Sequence, residues 1–131
     1  MPDDQTSGVR EPPSEDAAAS ALAYLTEMSP DLRGGAILGP GGEVLAASDS
    51  PARWAEDAAT LLEVADRADE EPVEQVHIAT EQGEVFALRH AGLTAVTVSE
   101  RFALASLMFF DLRSVLRDLA AGGDGQGLDA A

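Results

Sequence analysis

Cysteine and lysine are both missing from this 131-residue chain, and each absence closes off chemistry. Without cysteine there is no disulfide, no thiolate nucleophile and no zinc–thiolate site. Positive charge is also scarce. Eight basic residues, all arginine, stand against 24 acidic ones, for a formal net charge of −16. A phosphate backbone needs cationic neutralisation, so this balance strongly disfavours nucleic acid as a partner, and an anionic membrane surface likewise; no nucleic-acid partner is expected. Long hydrophobic runs are lacking too. The most apolar stretch, Phe102 to Phe110, falls far short of the ~20 residues that span a bilayer, so no membrane insertion is expected. Met1 to Gln5 offers neither a basic nor an apolar leader region, and a cytoplasmic location is the expectation.

Catalytic signatures are equally thin. There is no Gly-x-Ser-x-Gly for a serine hydrolase. His77 falls within a strand-like run and His90 in a turn, and neither has a second ligand at metal spacing, so both read as structural. Gly39-Pro40-Gly41-Gly42 could be taken for a phosphate loop, but no lysine and no Ser/Thr follow at P-loop spacing and the next segment is strand-like. It reads as a turn. No enzyme activity, cofactor or metal is expected.

What is present is a regular order of elements. Met1 to Pro13 is acidic and poor in apolar residues. Gly122 to Ala131 is rich in glycine and polar residues. Both read as disordered tails that cannot offset their ordering entropy. Residues 14–121 form one domain of adequate size for a core. Ser14 caps a helix over Glu15–Met28, with Glu15 and Asp16 at its positive end. Ala18, Ala21, Leu22, Leu25 and Met28 form its apolar stripe, and Ser29-Pro30 ends it. A hairpin over Gly34–Ala47 reverses at Pro40-Gly41-Gly42. Ser50 as cap and Pro51 at the first position start a second helix, Pro51–Ala68. Its stripe is Trp54, Ala58, Leu61, Ala65 and Ala68, widened by Leu62, with Arg53–Asp57 and Glu63–Arg67 spaced for ion pairs.

Three strands follow, Val73–Thr80, Glu84–Arg89 and Leu93–Val98, joined by hairpin-length loops that require antiparallel pairing. Phe86 and Leu88 point one way while Val85 and Ala87 point the other, and the next strand behaves similarly. Two apolar faces imply helices on both sides of the sheet. Ser99, with Glu100 in the first turn, is expected to cap a last helix running to about Leu119. Its core stripe is Ala105, Met108, Phe109, Leu112, Leu116 and Leu119. Phe102, Leu104, Leu107 and Phe110 make its first half apolar nearly all round, which predicts burial on more than one side. The fold class is therefore α/β, an α+β sandwich in the order α-β-β-α-β-β-β-α with a five-stranded antiparallel sheet.

That order, with Leu32-Arg33-Gly34-Gly35-Ala36-Ile37-Leu38 leading into Gly41-Gly42-Glu43-Val44-Leu45-Ala46, resembles the roadblock/dynein light-chain family, whose fold is related to profilin and longin domains. Thr80 to Phe86 matches the family's second hairpin, and Leu93 to Val98 its fifth strand. Pro40-Gly41-Gly42 stands where an Asp-Gly is usual, and the Leu107-Met108-Phe109-Phe110 cluster makes the last helix more apolar than many of its counterparts. The resemblance implies a non-catalytic dimeric scaffold that regulates a small Ras-like GTPase or a signalling assembly. The absence of lysine and abundance of alanine fit a bacterial, GC-rich genome.

In such dimers the second helix and third strand meet their symmetry mates, which carries here to Leu61, Ala65, Val73, Val76 and Ile78. The partner-binding expectation falls on the second helix, at Arg53, Trp54, Asp57, Thr60, Leu61, Glu63 and Val64. Trp54 reads either as a core residue or as an interface anchor. Arg53 and Arg101 read as surface charge or, less readily, as groups acting on a GTPase's phosphates in trans. The acidity fits either solubility or attraction to a basic partner. Two other classes compete. A type III secretion-type chaperone is also small and acidic, but has three strands before its middle helix. A profilin/PAS-like ligand sensor needs a pocket with convergent polar groups.

Overall fold

A computed structural model describes residues 13–69 and 71–122. The two expected tails lie, apart from Pro13 and Gly122, outside the described residues. The elements are α1 (Glu15–Met28), β1 (Leu32–Leu38), β2 (Val44–Ala47), α2 (Pro51–Arg67), β3 (Gln75–Ala79), β4 (Glu84–His90), β5 (Leu93–Ser99) and α3 (Ala105–Ala120). The five strands form one sheet in the order β2-β1-β5-β4-β3, and every neighbouring pair is antiparallel. The first and last strands thus meet at the centre, with β2 and β3 at the edges.

Local chemistry explains most of the element ends. Ser14 Oγ accepts the Ala17 N–H at 3.0 Å, a cap worth about 1 kcal/mol. The hairpin between β1 and β2 closes through Gly39 N–H to the Glu43 carbonyl and Gly42 N–H to the Gly39 carbonyl. Gly42 takes a φ of +86°, a value that glycine adopts without strain.

Three expectations need correction. Ser50 does not cap α2 with its side chain. It sits at φ 37° in the left-handed region, and the Arg53 and Trp54 amides bond to its carbonyl instead. Strand β3 begins at Gln75 rather than Val73, because the Val73 amide is drawn to Asp66 Oδ1. The largest difference is in α3, which starts at Ala105 rather than after Ser99. Ser99 is fully buried as the last residue of β5, paired with Leu32 and Glu84. Glu100 is bound by Arg33, and Phe102 takes φ +64°, so the helix cannot begin until that turn is complete.

The two faces of the sheet carry separate cores. On one, α1 and α3 bury Leu22, Leu25, Leu112 and Leu116 against Ile37, Phe86, Leu88, Leu93 and Ala95. On the other, α2 packs Ala58, Trp54, Leu61 and Leu62 against Leu38, Ala87 and Val96. Strand periodicity is realised as expected, with Phe86 and Leu88 on the two-helix side and Val85 and Ala87 on the α2 side. Each fully buried large side chain contributes on the order of 1.5–3 kcal/mol.

The turn between β3 and β4 leaves no room for a side chain at Gly83. A Cβ there would stand 2.5 Å from the Ser99 carbonyl oxygen, a backbone atom that moves only with β5. Gly83→Ala is therefore expected to cost about 1–3 kcal/mol, read as a lower urea midpoint with an unchanged slope.

Candidate functional site

Helix α2 is the only helix on its side of the sheet among the described residues, and it lies chiefly over the β2 and β1 end. The α2 side of β5, β4 and β3 is consequently left half covered. Between α2 and those strands runs a groove lined by Asp49, Arg53, Trp54, Asp57, Leu61, Val85, Val96 and Val98. Trp54 sits half-buried at its mouth, packed against the smaller core, and its indole Nε1–H donates to Asp49 Oδ1 at 3.0 Å. It is a core residue with one solvent-facing edge.

The residues expected to bind a partner lie along this helix. Arg53, Asp57, Thr60 and Val64 recur at i, i+4, i+7 and i+11 and form one exposed strip, with Glu63 beside it. Leu61 and Ala65 are half-buried beneath. Arg53 and Asp57 approach at 3.9 Å and Arg67 and Glu63 at 2.8 Å, both on exposed helix surface. Such pairs contribute only a few tenths of a kcal/mol, so they cost little to rearrange.

The residues expected at a symmetric contact divide between the helix and the edge strand. Val76 joins Leu61 in the smaller core, while Ile78 is 39% exposed at the rim. Val73 lies before the strand, its amide held by Asp66. The Thr80 amide donates to Gly83 and the Arg89 amide to Glu74, so the even-numbered residues from 74 to 80 turn their backbone groups toward β4. The odd-numbered Gln75, His77 and Ala79 direct theirs away from the sheet. Edge β3 thus offers an open ladder, flanked by the half-covered Val76, Ile78, Val85 and Val98.

Val85 and Val98 belong to this surface and were not singled out beforehand. Their outward periodicity was legible, but which strands α2 leaves bare depends on where the helix lands across the sheet. Asp66 is not simply part of the charged surface of α2. It accepts Arg89 Nη1 at 2.8 Å and Nη2 at 3.0 Å, tying the end of α2 to β4. Hydrogen bonds from Arg89 and then from the Val73 amide hold its carboxyl below the usual carboxylate range.

A second polar link joins edge β3 to the turn before α3. His77 Nε2 stands 2.9 Å from Glu84 Oε1, and because a carboxylate only accepts, that nitrogen carries the proton. The His77 ring stacks on Phe86 at 4.4 Å and 9°, and Phe86 meets Phe109 edge-on at 5.4 Å. Glu84 Oε2 accepts the Phe102 amide at 2.6 Å. The His77 bond first, with the Phe102 amide assisting against burial, lowers the Glu84 pKa, as Arg33 lowers that of Glu100. A carboxylate depressed in the fold stabilises fully above its unfolded pKa, near 4, and loses that contribution as pH falls through its lower folded value. Stability is therefore expected to be flat near neutrality and to drop below about pH 4. Glu84→Gln should lower Tm at pH 7 and shrink the acid-induced loss, as measured by calorimetry at stepped pH.

No cluster of three or more metal-ligating side chains occurs among the described residues, and no described helix is long and apolar enough to cross a membrane.

At the level of sequence, no family model and no curated protein matches this chain. Solved structures do. The Roadblock/LC7 domain from Streptomyces avermitilis superposes with a TM-score of 0.66 at 18% identity, covering 76% of this chain and 92% of that one. MglB of Myxococcus xanthus gives 0.64 at 10% identity, covering 86% and 92%. The gliding protein MglB of Thermus thermophilus gives 0.58 at 16% identity, again covering 86% and 92%. The fold is that of a roadblock domain, as the resemblance of Leu32 to Ala46 implied.

Proposed function

We propose that this protein is a non-catalytic dimeric scaffold that regulates a small Ras-like GTPase or a signalling assembly built around one. The observation that carries this reading is the pairing of an open β3 ladder with a half-covered apolar strip beneath a single helix. An unpaired edge next to exposed β-branched side chains is an association surface unless something blunts it, and Glu74 and Pro72 are the nearest blunting residues. Pairing two β3 edges about a two-fold axis would satisfy both open ladders, continue the sheet from one copy into the other and cover Ile78 at the seam. The α2 helix of each copy then offers a platform whose outer strip mixes Arg53, Asp57, Thr60, Glu63 and Val64, a composition suited to a regulated interface rather than an obligate one. The likeness to two MglB proteins supports the same class.

The experiment is charge reversal on the platform, Asp57→Arg with Glu63→Arg. Both side chains are exposed, so the variant should fold and dimerise like the parent. Binding to a GTP-loaded small Ras-like GTPase of the same genome should weaken on the order of tenfold, since reversing rim charges changes complementarity by about 1–2 kcal/mol. Unchanged affinity would remove α2 as the binding face.

A further inference from the structure

Helix α2 has two flanks, and the one away from the Trp54 groove also stands over a hollow. Trp54 and Leu61 give the groove flank its bulk. The opposite flank presents Ala55 and Ala59 before Leu62, and alanine is too short to fill the space above the sheet. What is left is a cavity of about 530 Å³, within the range of small-molecule sites. Its floor is the row Leu38, Thr94 and Arg89, paired across β1, β5 and β4.

The walls are tied in place. Ala91 and Gly92 take φ +55° and +82° in a tight β4–β5 turn that stands next to the β1–β2 turn; a Cβ on Gly92 would lie 3.8 Å from Pro40. Val73 closes a third side, its amide held by Asp66 and its carbonyl by Arg89. The bidentate pair of Arg89 with Asp66 fixes the end of α2 over the same strands.

One polar group on the floor is unsatisfied. Thr94 is 8% exposed, and strand alternation puts its side chain on the α2 side with Val96. The other buried hydroxyls, Ser29, Thr97 and Ser99, each donate to an oxygen. The Thr94 hydroxyl has no hydrogen-bond partner among the described residues. Buried hydroxyls in that state are uncommon and destabilising. Beside it, Arg89 commits both Nη1 hydrogens and one on Nη2 to Asp66 and the Val73 carbonyl. Its Nε–H and second Nη2–H remain without a partner among the described residues.

Charge on the walls cancels. Asp66 matches Arg89, and Arg113, which donates to Gln75, is opposite in sign to the exposed Glu74. His90 also lines the cavity and adds no charge in its neutral form. An ion would enter without a counter-charge of its own, whereas the floor holds donors in need of an acceptor.

We propose that this cavity binds a small uncharged molecule with an apolar body and a carbonyl head, such as a carboxamide. The carbonyl oxygen accepts from the Thr94 hydroxyl and the free N–H groups of Arg89, and the body lies against Leu38, Leu62 and Val73. Neither the outer strip of α2 nor edge β3 lines the cavity, so this site and the GTPase reading can fail separately.

The test is titration of the isotope-labelled full chain with valeramide, cyclohexanecarboxamide and benzamide, followed through backbone amide shifts. Each is compared with its carboxylate and its primary amine at neutral pH. At least one amide should shift the Ala55, Gly92 and Thr94 signals saturably, with a dissociation constant of about 1 mM or below. It should bind at least about fivefold more tightly than its two charged counterparts. Thr94→Val should weaken it about fivefold while keeping or raising the parental Tm, because valine suits the strand and removes a hydroxyl that has no partner. Ala55→Leu, which fills the cavity from the helix and leaves Thr94 in place, should abolish the shifts. No saturable shift at these residues with any amide overturns the proposal, as does a carboxylate or amine that binds as tightly as its amide. Unchanged affinity in either variant overturns it too. So does a Tm more than about 5 °C below the parent for Thr94→Val, which would mean that the hydroxyl is bonded within the fold.

Discussion

Phe86→Ala is expected to cost about 3–5 kcal/mol, a third or more of the stability of a domain this size. Phe86 is completely buried in the middle of β4 and is the largest fully buried side chain. It faces His77 by stacking and Phe109 edge-on, so truncation leaves a cavity bordered by two rings that lose their partner together. Neither ring can follow it. His77 is fixed to Glu84, and Phe109 stands on a helix anchored by Leu112 and Leu116. The midpoint of thermal unfolding should fall by on the order of 15–25 °C. Phe86→Leu, which keeps most of the volume, should lose less than half as much. A loss below about 1 kcal/mol for the alanine variant, from urea titration, would mean that this side of the sheet collapses around the gap.

Ala79→Pro is expected to convert the proposed dimer into a monomer. Ala79 pairs opposite Glu84 without using its own amide in the β3–β4 ladder, so proline removes a donor only from the outward edge. The preceding Ile78 is already extended, as the residue before proline requires. Two such losses, one from each copy, should weaken self-association on the order of a hundredfold. Light scattering at ~100 μM should move from twice the chain mass of 13.6 kDa to that mass, with unchanged circular dichroism. Ala79→Thr, which leaves the donor in place and suits a strand, is the control. A parent that is already monomeric removes the dimer, and a proline variant that stays dimeric places the contact elsewhere.

Both expectations draw on features that reach different distances along the chain. Alternation within β4, with Phe86 and Leu88 against Val85 and Ala87, was legible because a strand's period of two is a property of neighbours. The cap at Ser14, the turn at Gly41-Gly42 and the stripe of Trp54, Ala58 and Leu61 were legible for the same reason. They fixed the element order and hence the fold class, and they placed Leu61, Val64 and Ile78 near a surface. Composition alone ruled out thiol chemistry and disfavoured nucleic acid.

Tertiary structure decided the rest. Which strand lies at the edge follows from β1 pairing with β5, a contact between residues some sixty positions apart, such as Ile37 and Ala95. Val85 and Val98 join the candidate site only because α2 settles over β2 and β1 and leaves their side of the sheet open. The start of α3 was misplaced because Ser99 followed by Glu100 is a sound local capping signal. It lost to the pairing of Ser99 inside β5 and to the hold of Glu84 on the Phe102 amide, both long-range contacts. The same contacts turned Phe102, Leu104, Leu107 and Phe110 toward solvent, against the expected burial. Periodicity tells a helix which side chains share a face; only the space left by α1 and the sheet decides which of two apolar faces is buried.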